Sequence, residues 1–204
     1  VDLNKINTLR EGKSPIFEPG LDSLLAQNIK AKRIQFTNDA KNSIENSDII
    51  FIAVGTPPQE DGSADLKYVV QVAETIATHM NDYKLVVTKS TVPVGTFLKV
   101  KKAIEQKLRE RKASLNFDVA SNPEFLREGS AIEDFRRPDR VVCGTVSERA
   151  RQVLRELYRP LFLNETPILL TSLETAELTK YAANAFLATK VTFLNEIADL
   201  CEAT

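Results

Sequence analysis

Asp48-Ile49-Ile50-Phe51-Ile52-Ala53-Val54-Gly55-Thr56-Pro57-Pro58 is the stretch that decides the fold. Its apolar run is continuous rather than alternating, as in a strand buried on both faces of a parallel sheet. It stops abruptly on Gly, a hydroxyl residue and two prolines, which fix a turn and suit the start of a helix. The same ending recurs twice downstream. Leu85 to Thr88 runs into Lys89-Ser90-Thr91-Val92-Pro93-Val94-Gly95, and Asp118 to Ala120 runs into Ser121-Asn122-Pro123-Glu124-Phe125. Any one of these is an ordinary strand-to-helix turn, which favours such residues anyway. Three on one rim point to a binding edge, because open parallel sheets take ligands beyond the carboxyl ends of their strands.

Outward from these runs, short segments rich in Val and Ile alternate with helical patterns. Strands are expected at Ile34–Thr37, Asp48–Val54, Leu85–Thr88, Asp118–Ser121, Val141–Gly144 and Ile168–Leu170. Helices are expected at Lys5–Glu11, Leu21–Asn28, Asp39–Asn46, Leu66–Met80, Gly95–Lys112, Ser147–Leu161 and Ser172–Ala203. The rhythm predicts an α/β fold, a Rossmann-like parallel sheet with helices on both faces. Thr171-Ser172-Leu173-Glu174 reads as a capping box that opens the last helix. That helix exceeds the usual globular range of roughly 8–20 residues, so it can bridge two domains, pack on a second subunit, or both.

Composition narrows the function classes. With 43% hydrophobic and 27% charged residues the chain is ordinary globular material, and a net charge of −1 supplies no broad basic field for nucleic acid. No apolar run reaches membrane-span length, and no signal-peptide pattern opens the sequence. Cys143 and Cys201 are far apart and the chain has one His, so no metal site is expected. Both cysteines read as packing residues, His79 as a surface residue, and the setting as reducing and cytoplasmic.

Two polar pairs stand out. Glu124 and Glu128 are four apart; if Asn122 caps a helix with Pro123 at its first position, both carboxylates share a face. Such a pair beside a cleft can do acid/base work, but spacing alone favours solvated first-turn acids. Lys180 and Asn184 are also four apart, in a small-residue stretch of the last helix. The Lys either snorkels or stabilises a developing oxyanion.

Taken together the strings resemble the UDP-glucose/GDP-mannose dehydrogenase family over nearly the whole chain. The resemblance rests on Val1-Asp2, Ser14-Pro15-Ile16-Phe17-Glu18-Pro19-Gly20-Leu21, Val54-Gly55-Thr56-Pro57, Ala64-Asp65-Leu66-Lys67-Tyr68 and Lys89 to Gly95. It continues through Asn122-Pro123-Glu124-Phe125-Leu126-Arg127-Glu128-Gly129, Pro138-Asp139-Arg140-Val141 and Glu177 to Phe186. The Phe-Leu-Arg-Glu-Gly form followed by Pro-Asp-Arg is similar to the UDP-glucose branch. The resemblance implies oxidation of UDP-glucose to UDP-glucuronate with NAD as cofactor, by two hydride transfers through a thiohemiacetal and a thioester.

Residue by residue, the resemblance gives Val54, Gly55, Thr56, Pro57, Ser90 and Thr91 to the NAD site, with Asp2, Lys5 and Glu128 beside the cofactor. It gives Glu124, Phe125, Leu126, Arg127, Glu128, Lys180 and Asn184 to the sugar nucleotide. Glu124 would be the acid/base, Lys180 the oxyanion group, Asn184 a partner of the sugar or a water, and Thr91 a holder of that water. It reverses the bland reading of both polar pairs.

Three features depart from the pattern. None of the seven glycines forms a dinucleotide fingerprint, Cys201 does not match the family's nucleophile, and the Asp2 to Lys5 spacing is short. The chain is therefore expected to be a partial one, missing flanking pieces at both ends and catalytically silent alone. Residues 1–170 would be a partial NAD-binding domain and residues 171–204 the start of a central, dimerising one. Expected partners are UDP-glucose and further copies of the chain, as a homodimer or higher oligomer, without nucleic acid or membrane. The alternatives are action on GDP-mannose or another nucleotide sugar, and a noncatalytic chain that associates through its long helix.

Overall fold

The structure is a computed structural model that describes residues 2–162 and 166–204; Val1 lies outside the described residues. Five strands form one sheet in the order β1-β2-β3-β4-β5. They are β1 (Ile49–Ile52), β2 (Lys84–Thr88), β3 (Phe117–Ser121), β4 (Val141–Gly144) and β5 (Ile168–Thr171). The first three are parallel, with Ile49 level with Leu85 and Lys84 level with Phe117, so their carboxyl ends share one rim.

The expectation of an all-parallel sheet fails at β4. It meets β3 antiparallel at the single pair Ser121–Gly144, and β5 follows it in parallel. A register that joins the two carboxyl-terminal residues sets most of β4 beyond the end of β3. There it serves as a wall above the rim.

Helices α4 (Lys67–His79) and α5 (Thr96–Glu110) cover one face, and α7 (Glu148–Phe162) the other. The alternation of β2 divides the core between them. Val86 packs with Val69, Ala73, Ile76, Val100 and Ile104, while Leu85 and Val87 pack with Ala120, Cys143, Leu154 and Tyr158. Each such aliphatic side chain contributes about 1.5–3 kcal/mol on full burial. His79 is half-buried in the last turn of α4, not a free surface residue.

The remaining helices are α1 (Leu3–Arg10), α2 (Leu21–Lys30), α3 (Ala40–Glu45), α6 (Ala131–Arg136) and α8 (Leu173–Ala203). The sequence patterns missed α6, a six-residue helix with no buried side chain and hence no apolar period to read. Ile34–Thr37 is not a strand. Among the described residues it has no neighbouring strand to complete a ladder, and Phe36 O accepts instead from Arg10 Nε at 2.9 Å.

No helix starts at Asn122 either; residues 122–127 are irregular. The helix-breaking cause is tertiary. Asn122 is drawn inward, with its amide N–H donating to Thr88 O and its side chain to Val142 O, so it cannot act as a cap.

Helix α8 is capped one residue later than expected. Ser172 Oγ accepts from Thr175 N at 3.2 Å, because Thr171 is still in β5, and this takes Glu174 out of the third helical position. Only Leu173, Ala176, Glu177 and Lys180 of α8 are buried. Their spacing marks one face of two turns laid on the sheet. At the crossing, Gly144 would place a Cβ only 2.5 Å from Ser172 O and 2.9 Å from Leu173 Cα. Cys201, far along α8, is exposed rather than packed.

Candidate active site

Beyond the rim lies a cleft of about 810 Å³, walled by the segment after β3, the entry to β4 and the middle of α8. Lys180 comes to its floor from the last buried position of α8, and its Nζ stands 3.1 Å from Glu124 Oε1. The other oxygen of that carboxylate accepts from Leu126 N at 2.7 Å, so the irregular segment folds around its own acid. The Lys180 side chain is 9% exposed and that of Glu124 31%. Loss of Glu124 would leave the sheltered Lys180 ammonium without its counter-charge.

Two cations stand over the Phe125 ring, Arg140 at 4.6 Å and Lys180 at 5.4 Å from its centroid. Arg127 grips Asp134 with two bonds, Nη2 to Oδ1 at 2.7 Å and Nε to Oδ2 at 3.1 Å. Leu126, Arg127 and Asn184 also line the cleft.

Behind Glu124 a buried network supports the floor. Lys89 Nζ donates to Asn122 Oδ1 at 3.2 Å and lies 3.4 Å from Asn122 O; Tyr158 donates to the same Oδ1. Burial lowers the Lys89 pKa, the charge of Glu124 partly restores it, and the charge of Lys180 opposes it. Burial pushes the Cys143 thiol up to about 12, with Lys89 pulling it back, so this cysteine is a poor nucleophile.

The loops past β1 and β2 form a ledge beside the cleft. Ser90 Oγ donates to Val54 O at 2.6 Å, and Thr56 Oγ1 donates to Thr91 O at 2.8 Å. Each loop thus holds the other, which brings Ser90 and Thr91 beside the segment from Val54 to Pro57.

Three further expected residues, Glu128, Asp2 and Lys5, are placed apart from the cleft. Neither Thr91 on the ledge nor Glu128 lines it, and Glu128 is exposed in the turn before Gly129 rather than on a helix face with Glu124. Asp2 caps α1, its Oδ1 accepting from Asn4 N and Lys5 N, and Lys5 is exposed on that helix.

Sequence reasoning gave no site role to Lys89, Arg140 or Tyr158, and read Asn122 only as a helix cap. A signal existed for Lys89 and Asn122, a polar pair at the ends of adjacent buried strands. Tyr158 carries none, since it falls on the apolar stripe of α7 like any core aromatic.

Comparison with known proteins identifies relatives of the whole fold. At 43% identity and a TM-score of 0.90, the chain is similar to a UDP-glucose dehydrogenase structure from the archaeon Pyrobaculum islandicum, covering 97% of this chain and 45% of that one. A GDP-mannose dehydrogenase structure from Pseudomonas aeruginosa matches at 38% identity and a TM-score of 0.87, over 96% of this chain and 45% of that one. In sequence, the UDP-glucose 6-dehydrogenase of Rhizobium meliloti is 54% identical over 98% of this chain and 46% of its own length. That of Pseudomonas aeruginosa is 48% identical over 100% and 45%. The chain thus spans under half the length of the relatives it matches. The family profile for the NAD binding domain matches residues 1–162 and that for the central domain residues 174–204. On that match the chain belongs to the UDP-glucose/GDP-mannose dehydrogenase family.

Proposed function

We propose that this chain forms the cofactor-binding and sugar-facing part of an NAD-dependent UDP-glucose 6-dehydrogenase. The observation that carries the reading is the Lys180–Glu124 pair at the floor of the cleft, 3.1 Å apart beside the three strand ends. The residues fit a dinucleotide. Backbone must come close to such a group, and Gly55 has open space within 4 Å where a Cβ would stand. Asp2 takes both its hydrogen bonds on Oδ1, which leaves Oδ2 for a ribose hydroxyl. When bound, NAD⁺ supplies the hydride acceptor.

The side chains divide the remaining work. Lys180 Nζ donates toward the sugar's C6 oxygen as negative charge develops there. Glu124 accepts a proton from a water or from that oxygen, and Asn184, one turn beyond Lys180, orients the sugar or the water. Thr91, Ser90 and the ledge from Val54 to Pro57 take the cofactor side, with Lys5 and Glu128 at its margin. Phe125, Leu126 and Arg127 border the sugar nucleotide. The covalent step needs a thiol from outside these residues. Cys143 is buried, and Cys201 lies roughly 30 Å along α8 from Lys180 at 1.5 Å per residue.

Residues 1–170 act as the cofactor domain and residues 171–204 as the start of a central one, in a cytoplasmic enzyme. Past Lys180, Phe186, Leu187, Val191, Phe193, Leu194 and Leu200 each remain more than half exposed, which favours a homodimer or higher oligomer built on α8. The reading is tested by turnover of the complete gene product. Lys180→Ala should lower kcat by roughly 10²–10³, the scale of one lost oxyanion donor. Lys102→Ala, on the exposed face of α5, should leave it unchanged. Equal effects would remove Lys180 from the mechanism.

A further inference from the structure

Helix α5 has no side-chain cap of its own: its N-cap is Gly95, left-handed at φ 90°. The amides at that end are met from another element. Glu177 of α8 accepts from Gly95 N on Oε2 at 2.6 Å and from Phe97 N on Oε1 at 2.9 Å, across more than 79 residues of sequence. Glu177 is 2% exposed, so the carboxylate is satisfied by backbone amides alone. A contact needed only for packing would be met by an apolar side chain, since burying a carboxylate costs several kcal/mol before its hydrogen bonds repay it. Burial raises the Glu177 pKa, the amides of Gly95 and Phe97 lower it, and Glu174 adds to the rise. The net shift is upward, so the folded chain holds this proton more tightly than the unfolded one, and an acid at this place calls for a reason beyond packing.

Its position supplies one. Glu177 and Lys180 are one turn apart on the same buried face of α8. Lys180 does not pair with Glu177 but with Glu124. The segment that Glu177 grips is the end of the loop that begins at Lys89 and carries Ser90 and Thr91. One turn of α8 therefore fixes the ledge through Glu177 and reaches the cleft floor through Lys180.

We infer that Glu177 is a positioning residue, whose carboxylate sets the register of α8 against the 89–97 loop and thereby the place of the Lys180 ammonium in the cleft. Its catalytic consequence rests on the function proposed above; its structural claim does not.

Lysine side-chain NMR on the complete gene product, with the ε signal of Lys180 assigned through Lys180→Arg, reads that place without cofactor or sugar. Glu177→Gln turns an amide N–H toward an N–H donor. Its Gly95 and Phe97 amides should exchange at least about tenfold faster, the scale of one hydrogen bond to a charged group. The Lys180 signal should move toward its position in Glu124→Gln, where the pair is absent. Faster exchange with the Lys180 signal unmoved would overturn the inference and leave Glu177 as a helix cap only. Should Glu177→Gln fail to fold, Glu177→Asp retains the charge on a shorter stem. It must move the Lys180 signal in the same direction, and an unmoved signal there overturns the inference equally. Failure of the dehydrogenase reading would appear instead as no NADH from the wild-type gene product, and would not affect this comparison.

Discussion

The polar residues of the candidate site differ most in how their groups are satisfied. Glu124 serves Lys180 with one oxygen and Leu126 N with the other, whereas Glu177 serves only backbone amides. That difference gives Glu177 a pH signature. Its folded pKa lies above the ordinary 4.5 because burial outweighs the two amide bonds. The folded state therefore holds the proton more tightly than the unfolded one, and the stability linked to it is full below pH 4.5. It falls as pH rises through the folded value. Denaturant unfolding at a series of pH values should show this downward slope in the wild type and a flatter profile in Glu177→Gln. Matching profiles would mean that the carboxylate is not shifted. At this scale the sequence was legible where the residue type is unusual for its place. Lys180 and Asn184 among alanines were visible, and so were Glu124 and the hydroxyls of the ledge. Glu177 was not, because its partners are amides more than 79 residues away and no local spacing encodes them.

Among elements, those with a strong period were read nearly to their ends. Val141–Gly144 was placed as it stands, and α4, α5 and α7 within a residue or two, since their apolar faces are fixed by the sheet beneath. The failures have tertiary causes. Ile34–Thr37 has strand composition but, among the described residues, no adjacent strand. Asn122-Pro123 has the look of a helix start, yet Asn122 is taken up by Thr88, Val142, Lys89 and Tyr158. The direction of β4 cannot be read from its four residues, because pairing partners and not composition decide it. At Gly144 α8 crosses β4 so closely that there is no room for a Cβ. Gly144→Ala should thus push α8 away and destabilise the chain by roughly 1–3 kcal/mol, the range for overpacking. Thermal unfolding checks this, and a variant as stable as the wild type would mean that α8 is not seated there.

In the whole molecule, three parallel strand ends make a ledge, a reversed β4 raises a wall beside it, and one long helix brings a lysine to the junction. The α/β class and the shared rim followed from the three similar strand endings. The cleft did not, because its wall depends on the reversal at β4 and its floor on a salt bridge between residues 124 and 180. The most direct measurement is the NADH yield of the complete gene product with limiting UDP-glucose. Converting the C6 alcohol to a carboxylate removes four electrons, so the predicted yield is two NADH per sugar, with UDP-glucuronate as product and GDP-mannose a poor substitute. No NADH from UDP-glucose, or one equivalent ending at the aldehyde, would contradict the assignment.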